Sequence, residues 1–498
     1  MERYDLLIVG GGINGVGIAR DAAGRGLKVL LVERGDLGGS TSSASSKLIH
    51  GGLRYLEQFQ FRLVAEALAE REVLLSAAPH LIRPLRFVMP HVPALRPAWM
   101  IRAGLFVYDF LARHHALESS RAVDLRGSSY GAGLRQELSK GFVYSDCWVD
   151  DARLVLMTAR AAADLGAAIL PRTACVAADR RDGMWRATLR GADGRESRVE
   201  ARAIANATGP WVGQFLADVI GRPARFGVKL VKGSHIVVPQ LYEGDHACIL
   251  RNEVGRVVFA CAYEGRYTLI GTTDVELRGA PAPCDASAEE IDYLCRAANR
   301  YFTRALTPTD VIWSYCGVRP LFDDRAPNPS AITRDYVLSV DAEDSAPPVL
   351  SVVGGKITVF RRLAEQALAA LAPWFPAMPG PWTRGASLPG GDLHGSSFEQ
   401  FTDSQFRSDF PWLPAGLRHA LARRHGALAY EVLSQCASLA DLGEHYGADL
   451  YAREVDYFVE REWARSAEDV LWRRTKAGLH LDAGQRLAVA QHVERRLS

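Results

Sequence analysis

Residues 4–15 read Tyr4-Asp5-Leu6-Leu7-Ile8-Val9-Gly10-Gly11-Gly12-Ile13-Asn14-Gly15. The first six form the apolar run of a buried strand, and glycines 10, 12 and 15 keep a GxGxxG spacing. An Ala/Gly-rich helix follows from about Val16 to Arg25, Gly26 stops it, and Lys28 to Val32 is a second strand ending at Glu33. Each glycine has its own reason. Gly10 permits the tight turn, Gly12 lets backbone approach a pyrophosphate, and Gly15 lets helix and strand pack closely. The helix start offers N–H groups and partial positive charge to phosphates. Glu33 is placed to bind a ribose diol. Together these parts make a dinucleotide-binding unit.

Working outward, Gly38-Gly39-Ser40-Thr41-Ser42-Ser43-Ala44-Ser45-Ser46-Lys47 is too small and too rich in hydroxyls to pack as a core. Its place directly after the nucleotide unit reads as a loop lying along the ligand, offering hydroxyls and backbone N–H groups. Leu48-Ile49-His50-Gly51-Gly52-Leu53-Arg54-Tyr55-Leu56 follows. Its glycines allow close backbone approach, and its Arg suits a phosphate or carboxylate. Two further turns repeat the logic. Ala203 to Ala207 is a strand entering Thr208-Gly209, and Val349 to Val353 is a strand entering Gly354-Gly355-Lys356-Ile357-Thr358 and a helix. Three turns converging on one long ligand suit FAD better than NAD. The expected cofactor contacts are Gly10, Gly12, Ile13, Asn14, Gly15, Glu33, Arg34, Thr41, Ser42, Ser45, Ser46, Lys47, Leu48, His50, Thr208, Gly209, Gly354, Gly355, Lys356, Ile357 and Thr358.

Between the turns the pattern predicts helices over 62–75 and 150–165, a hairpin over 188–199 turning at Asp193-Gly194, and strands over 234–238, 256–260 and 267–271. The strands read as an antiparallel cap inserted into the nucleotide domain. Arg96 to His115 is apolar and aromatic (Trp99, Met100, Phe106, Phe110) with Arg96, Arg102, Arg113, His114 and His115 around it. It suits either a cap helix or a helix lying in a membrane interface. Pro373 to Gly391 holds five prolines and four glycines and reads as a linker. Beyond it, Tyr451, Val455, Phe458, Val459, Trp463, Ala467, Val470 and Leu471 keep helical spacing, so the end of the chain is a separate, mostly helical domain.

Bulk properties narrow the function. The 498 residues are 48% hydrophobic and 23% charged, with ample length for a large core. A net charge of +2 gives no reason to expect nucleic acid. The charged start enters a strand directly, so no signal peptide is expected. No uncharged apolar run approaches the roughly 20 residues of a membrane span. The eight cysteines are scattered without a Cys-x-x-Cys pair, which suits a reducing compartment and argues against a thiol redox centre. No clustered metal-ligand set appears, so no metal is expected.

Thr41-Ser42-Ser43-Ala44-Ser45-Ser46-Lys47-Leu48-Ile49-His50-Gly51-Gly52-Leu53-Arg54-Tyr55-Leu56 closely resembles the signature of FAD-dependent sn-glycerol-3-phosphate dehydrogenases. So do Tyr144 to Leu154, Lys232 to Pro239, Ile270-Gly271-Thr272-Thr273-Asp274, Gly317-Val318-Arg319-Pro320-Leu321 and Leu471 to Lys476. Cys261-Ala262-Tyr263 and Val359-Phe360 depart from the pattern without removing a basic group. The resemblance implies a D-amino-acid-oxidase-like flavoprotein: a Rossmann-type α/β FAD-binding domain, an antiparallel β-rich cap and a C-terminal α-helical domain. The expected division is an oxidoreductase domain over 1–380 (core about 1–80, 145–225 and 315–375; cap about 81–144 and 226–314) and a helical domain over 385–498. It implies oxidation of sn-glycerol 3-phosphate to dihydroxyacetone phosphate, with electrons passed to ubiquinone or another membrane quinone. It also implies peripheral attachment to the cytoplasmic face of the inner membrane, and a homodimer at the level of the family. Arg54, Tyr55, Arg334 and Lys356 are the expected phosphate holders. His50 is the expected base, Arg319 its electrostatic partner and His235 the reserve base. The competing readings are a soluble oxidase passing electrons to oxygen, a flavin-binding protein without turnover, and an amino-acid oxidase. The last needs one Arg rather than four cations.

Overall fold

The computed structural model describes residues 1–92, 97–112, 117–251, 256–281, 284–323, 335–342 and 346–498. The first strand, Glu2–Val9, runs at the middle of a sheet in the order Val337–Asp341, Val349–Val353, Glu196–Asn206, Glu2–Val9, Val29–Glu33, Ala168–Pro171. All neighbours after the first pair are parallel, as crossover helices require. Residues alternate between the two faces of the strand. Leu6 and Ile8 pack with helices Ile13–Gly24, Asp151–Asp164 and Phe360–Leu371. Leu7 and Val9 pack on the other face with Trp185, Leu189 and Phe215. A strand buried on both faces has to be a continuous apolar run, which is what residues 6–9 are.

The expected elements form with shifted ends. The helix after the glycines starts at Ile13, directly after the turn. Helix Phe61–Ala77 covers 62–75 and Asp150 caps helix Asp151–Asp164. The hairpin and the Ala203 strand are one element: Glu196–Asn206 pairs at its start with Met184–Gly191 and at its end with Glu2–Val9.

The cap is a second sheet. Its order is Val275–Leu277, Val228–Pro239, Tyr267–Gly271, Val257–Tyr263, Ala247–Arg251, Ile82–Pro90, Lys140–Val149, Leu48–Ile49. Two corrections follow. Ala247–Arg251 and Ile82–Pro90 are parallel, so the cap is not wholly antiparallel. Strand Trp313–Phe322 pairs with Val228–Pro239 along its length, so residues 315–322 lie in this second sheet, as do 48–49 and 145–149, although the expected division gives all three to the core. A ladder continues as long as its partner does, and pairing is invisible to composition.

Helix Ala98–Ala112 turns Leu105 and Tyr108 inward and leaves Trp99 70%, Phe106 65% and Phe110 71% exposed. Arg96, Arg113, His114 and His115 lie outside the described residues. Among the described residues no helix is long and apolar enough to cross a membrane.

The Pro/Gly-rich stretch is not a loose linker. It lies across the first domain: Trp382 Nε1 donates to Asp21 O, Arg20 to Ala386 O, and Leu388 N to Ala77 O. The C-terminal region has its own core around Phe401, Phe406, Leu421, Val455 and Phe458. Its 451–471 pattern is interrupted. Helix Ala452–Arg461 ends, Trp463 takes a φ of 58°, and a wider turn forms at Asp469–Arg474. Nor is the region detached. Arg153 pairs with Glu462 and Arg474 with Asp36 across the boundary, all of them buried.

Candidate active site

The parallel strands end at one cavity of about 1070 Å³. At one end its wall is backbone. Gly10 has a φ of 113°, and a Cβ there would lie 2.4 Å from Ala207 O. A Cβ on Gly15 would lie 1.9 Å from Gly10 O, so this glycine serves packing and does not line the cavity. Gly12 caps helix Ile13–Gly24 and meets the cavity, with only Ser42 Oγ near its missing Cβ, at 3.1 Å. The Glu33 carboxylate accepts from Gly11 N at 2.7 Å and Gly35 N at 2.8 Å, which fixes it at the strand end on the cavity wall. Arg34 lies 4.2 Å over the Trp211 ring. Asn14 joins two turns by donating to Gly354 O at 3.1 Å, and its buried Oδ1 has no protein partner. Gly354 and Gly355 have φ of 79° and 95°, and Gly209 of 59°. Thr208 Oγ1 donates to Asn206 Oδ1 at 2.7 Å.

The serine loop runs along the cavity, but its hydroxyls mostly face protein. Ile13 N donates to Ser42 Oγ at 3.0 Å. Thr41 Oγ1 donates to Val318 O, and Ser45 Oγ to Asp151, each at 2.7 Å. The loop is thus stitched to the wall and presents mainly backbone to a ligand. Lys47 is buried, pairs with Asp151 Oδ1 at 2.8 Å and is not on the cavity wall. Leu48, Ile357 and Thr358 are on the wall.

The other end is built from side chains. His50, Arg54, Tyr55, Arg319 and Lys356 all line it. Thr358 is within hydrogen-bond distance of both His50 N, at 3.3 Å, and His50 O, at 3.4 Å, tying segments 308 residues apart. Tyr108 from the exposed helix accepts from Gly51 N at 2.9 Å, so that helix braces the residue next to His50. Gly52, with a φ of 78°, leaves the space into which the Tyr55 ring folds. Lys356 Nζ then sits 3.8 Å over that ring. Arg319 lies against Gly233, where a Cβ would come within 2.5 Å of it, and donates to Asp274 Oδ1 at 2.6 Å and Thr272 Oγ1 at 3.1 Å. Arg334 lies outside the described residues.

His235 is placed differently. It is 1% exposed, absent from the cavity wall, packed across Gly271 and stacked on Tyr315 at 4.8 Å. Its Nε2 is 2.9 Å from Ser46 Oγ. Burial, helped by Arg319 and Lys47, pushes its pKa well below the usual histidine range. Its contact with Ser46 ties the cap strand to the serine loop.

Sequence reasoning missed several wall residues. Thr272 and Asp274 sat in a quoted motif without a role. Trp472 and Arg473 come from the C-terminal region, with Trp472 stacked on Trp313 at 4.6 Å. The last pair stands in the Leu471 to Lys476 motif, likewise without a role, and tertiary packing brings it to the wall. Cys284 and Cys316 also reach the wall, and they are bonded to each other with Cα atoms 6.1 Å apart. The scattered cysteines therefore include one bonded pair, hidden by a separation of 32 residues.

A model of the FAD dependent oxidoreductase family matches residues 5–361, and one of the C-terminal domain of alpha-glycerophosphate oxidase matches 382–497. The chain belongs to the FAD-dependent oxidoreductase family. It is 52% identical to a glycerol-3-phosphate dehydrogenase of Pseudomonas aeruginosa, over 99% of this chain and 95% of that one. It is 50% identical to a D-erythritol 1-phosphate dehydrogenase of Brucella abortus, over 98% and 97%. A solved glycerol-3-phosphate dehydrogenase of Bacillus halodurans, complexed with FAD, superposes with a TM-score of 0.73 at 26% identity, over 99% and 94%. The cavity fits the family's cofactor. Gly12 keeps its wall low beside a helix start, Glu33 stands at the strand end, and Asn14 Oδ1 awaits a donor.

Proposed function

We propose that this flavoprotein oxidises sn-glycerol 3-phosphate to dihydroxyacetone phosphate and passes the electrons to a membrane quinone. The observation that carries this is that His50, Arg54, Tyr55, Arg319 and Lys356 line the same cavity as the glycine turn. Bound FAD supplies a two-electron acceptor there. The chain supplies the rest. Arg54 and Lys356 hold the phosphate dianion, with Tyr55 packing under the Lys356 ammonium. Asp274 and Thr272 aim the Arg319 guanidinium at the carbinol oxygen, where negative charge develops as the proton leaves. His50 takes that proton, since an alcohol is a poor electron donor until its proton begins to depart. The buried setting of His235 supports His50 over it as the base.

Peripheral seating on the cytoplasmic face of the inner membrane is supported by the exposed Trp99, Phe106 and Phe110, with Phe59 80% exposed on a neighbouring turn. A second reading has its own support. The relative named for D-erythritol 1-phosphate is nearly as similar as that named for glycerol 3-phosphate. The cavity also extends past His50 to Met89, Ile249 and Arg251. Anaerobic titration with each polyol phosphate, followed by flavin absorbance, tests both. Glycerol 3-phosphate is expected to bleach the flavin at the lower concentration. Bleaching by neither sinks the proposal. A quinone analogue should then restore the oxidised spectrum faster than air does, and peroxide as the main product would shift the assignment to an oxidase.

A further inference from the structure

We infer that Cys284–Cys316 is a thiol-reducible clasp on the wall of the cofactor cavity, a redox modification site whose opening speeds cofactor exchange. The inference rests on the flavoprotein reading above. Cys316 lies on strand Trp313–Phe322, the strand that carries Arg319 and accepts Thr41 of the serine loop at Val318 O. Cys284 lies in the segment entering helix Ala288–Asn299. Both cysteines are half-buried and line the cavity, so a small thiol reaches them. The other six cysteines are unpaired, and five of them are buried.

What the bond holds follows from its neighbours. The helix it precedes is fixed from below, since Glu290 accepts from Ser234 at 2.9 Å and Thr273 at 2.7 Å and pairs with Lys232 at 2.7 Å. The segment ahead of that helix has weaker ties. Trp211 Nε1 donates to Pro281 O at 3.1 Å, and Lys232 Nζ donates to Asp285 O. Trp211 is the residue under Arg34 at the Glu33 end of the cavity. Pro281 is thus tied to Trp211 and Cys284 to the strand bearing Arg319, the second tie being covalent. Such hydrogen bonds exchange readily with water, whereas a disulfide closes the loop permanently until it is reduced.

The chemistry balances with a dithiol as the reductant. Its thiolate attacks one Sγ, breaking the Cys284–Cys316 bond and forming a mixed disulfide. The second thiol then displaces the protein sulfur. Two electrons and two protons end on Cys284 and Cys316, and the dithiol leaves as a cyclic disulfide.

The test uses the holoprotein, prepared in air without thiols. Differential alkylation and mass spectrometry should find Cys284 and Cys316 blocked as a disulfide and the other six free. Dithiothreitol should then raise the rate of flavin release, read by fluorescence on dilution, by about tenfold, a modest change for losing a loop closure. Cys284→Ser should release flavin at the reduced rate and ignore dithiothreitol. Should that variant fold poorly, Cys316→Ser and alkylated, reduced wild type give the same comparison. Free thiols at both positions in air, an unchanged release rate on reduction, or a Cys284→Ser protein that still responds would each overturn the clasp. Protein that carries no flavin at all would instead overturn the flavoprotein reading. The clasp would then be read by hydrogen exchange at 284–287, which reduction should speed and which no change would refute.

Discussion

The two ends of the cavity are built by different means. The nucleotide end is backbone: glycines that no side chain replaces, a helix start, and a carboxylate held by two N–H groups. The part proposed for the polyol phosphate is side chains delivered by segments far apart in sequence, with His50 tied to Thr358 and Arg319 to Asp274. A backbone site tolerates almost no substitution but recognises little beyond a pyrophosphate. A side-chain site loses function in steps, one group at a time, and specificity can move between relatives named for three-carbon and four-carbon substrates.

Substitutions that separate the two ends test this contrast. The largest effect is expected at Gly12→Val, where a branched side chain would enter the phosphate path beside Ser42. The protein should fold, by circular dichroism, yet carry little or no flavin. Normal flavin content would show that the backbone end is not the nucleotide site.

Next comes His50→Asn. Flavin should stay bound and substrate affinity should stay within a few-fold, while anaerobic flavin reduction slows by roughly 10²–10⁴, the range for a general base. His235→Asn is the control. It should loosen the serine loop, lowering flavin retention, but keep a reduction rate near wild type in the flavin-loaded fraction. Stopped-flow rates that reverse this order would exchange the two roles.

Arg54→Ala should cost less, because Lys356 remains. Losing one charged partner of a buried contact costs about 2–5 kcal/mol, so kcat/KM for the phosphorylated substrate should fall at least roughly tenfold. Turnover of glycerol, already poor, should hardly change. Equal losses on both would place Arg54 in the chemistry rather than in phosphate binding.

The smallest effect concerns histidines away from the cavity. Burial keeps His80 and His235 neutral well below the usual range and brings His246 down to about 4. Unfolded, each titrates near 6.5. Below that pH the unfolded chain therefore takes up protons that the fold refuses. Stability is complete above about pH 6.5 and falls as the pH drops toward about 4. The melting temperature should decline by a few degrees over that window, and His246→Asn should flatten the decline. A melting temperature independent of pH between 4 and 6.5 would show these histidines to be protonated in the fold.

The same contrast explains what was legible in the sequence. Residues 4–33 announce strand, turn, helix and acid because their interactions are local, and a GxGxxG turn keeps its meaning wherever it stands. The serine loop was legible as a cavity loop, but its hydroxyls looked like ligand groups and serve mainly as stitches. Lys47 and His235 stood beside motif residues and were read as facing the ligand. The buried Asp151 pair turns Lys47 away, and the Tyr315 ring and Ser46 hold His235 behind the wall. Asp274 and Trp472 stand in short motifs that give them no role, and the Cys284–Cys316 bond carries no periodic or short-range signal. Their meaning comes from strand register and domain docking, which no window of neighbouring residues contains.

The Trp472–Trp313 stack also bears on the order of events during synthesis. The glycine turn precedes the other segments of its cavity in the chain. Its sheet, however, lacks the strand Val349–Val353 until that part of the chain emerges, and the cavity lacks Trp472 and Arg473 until later still. The nascent chain thus carries the signature of its cofactor site long before it carries the site. The cavity wall is complete only once Trp472 and Arg473 have been made and docked.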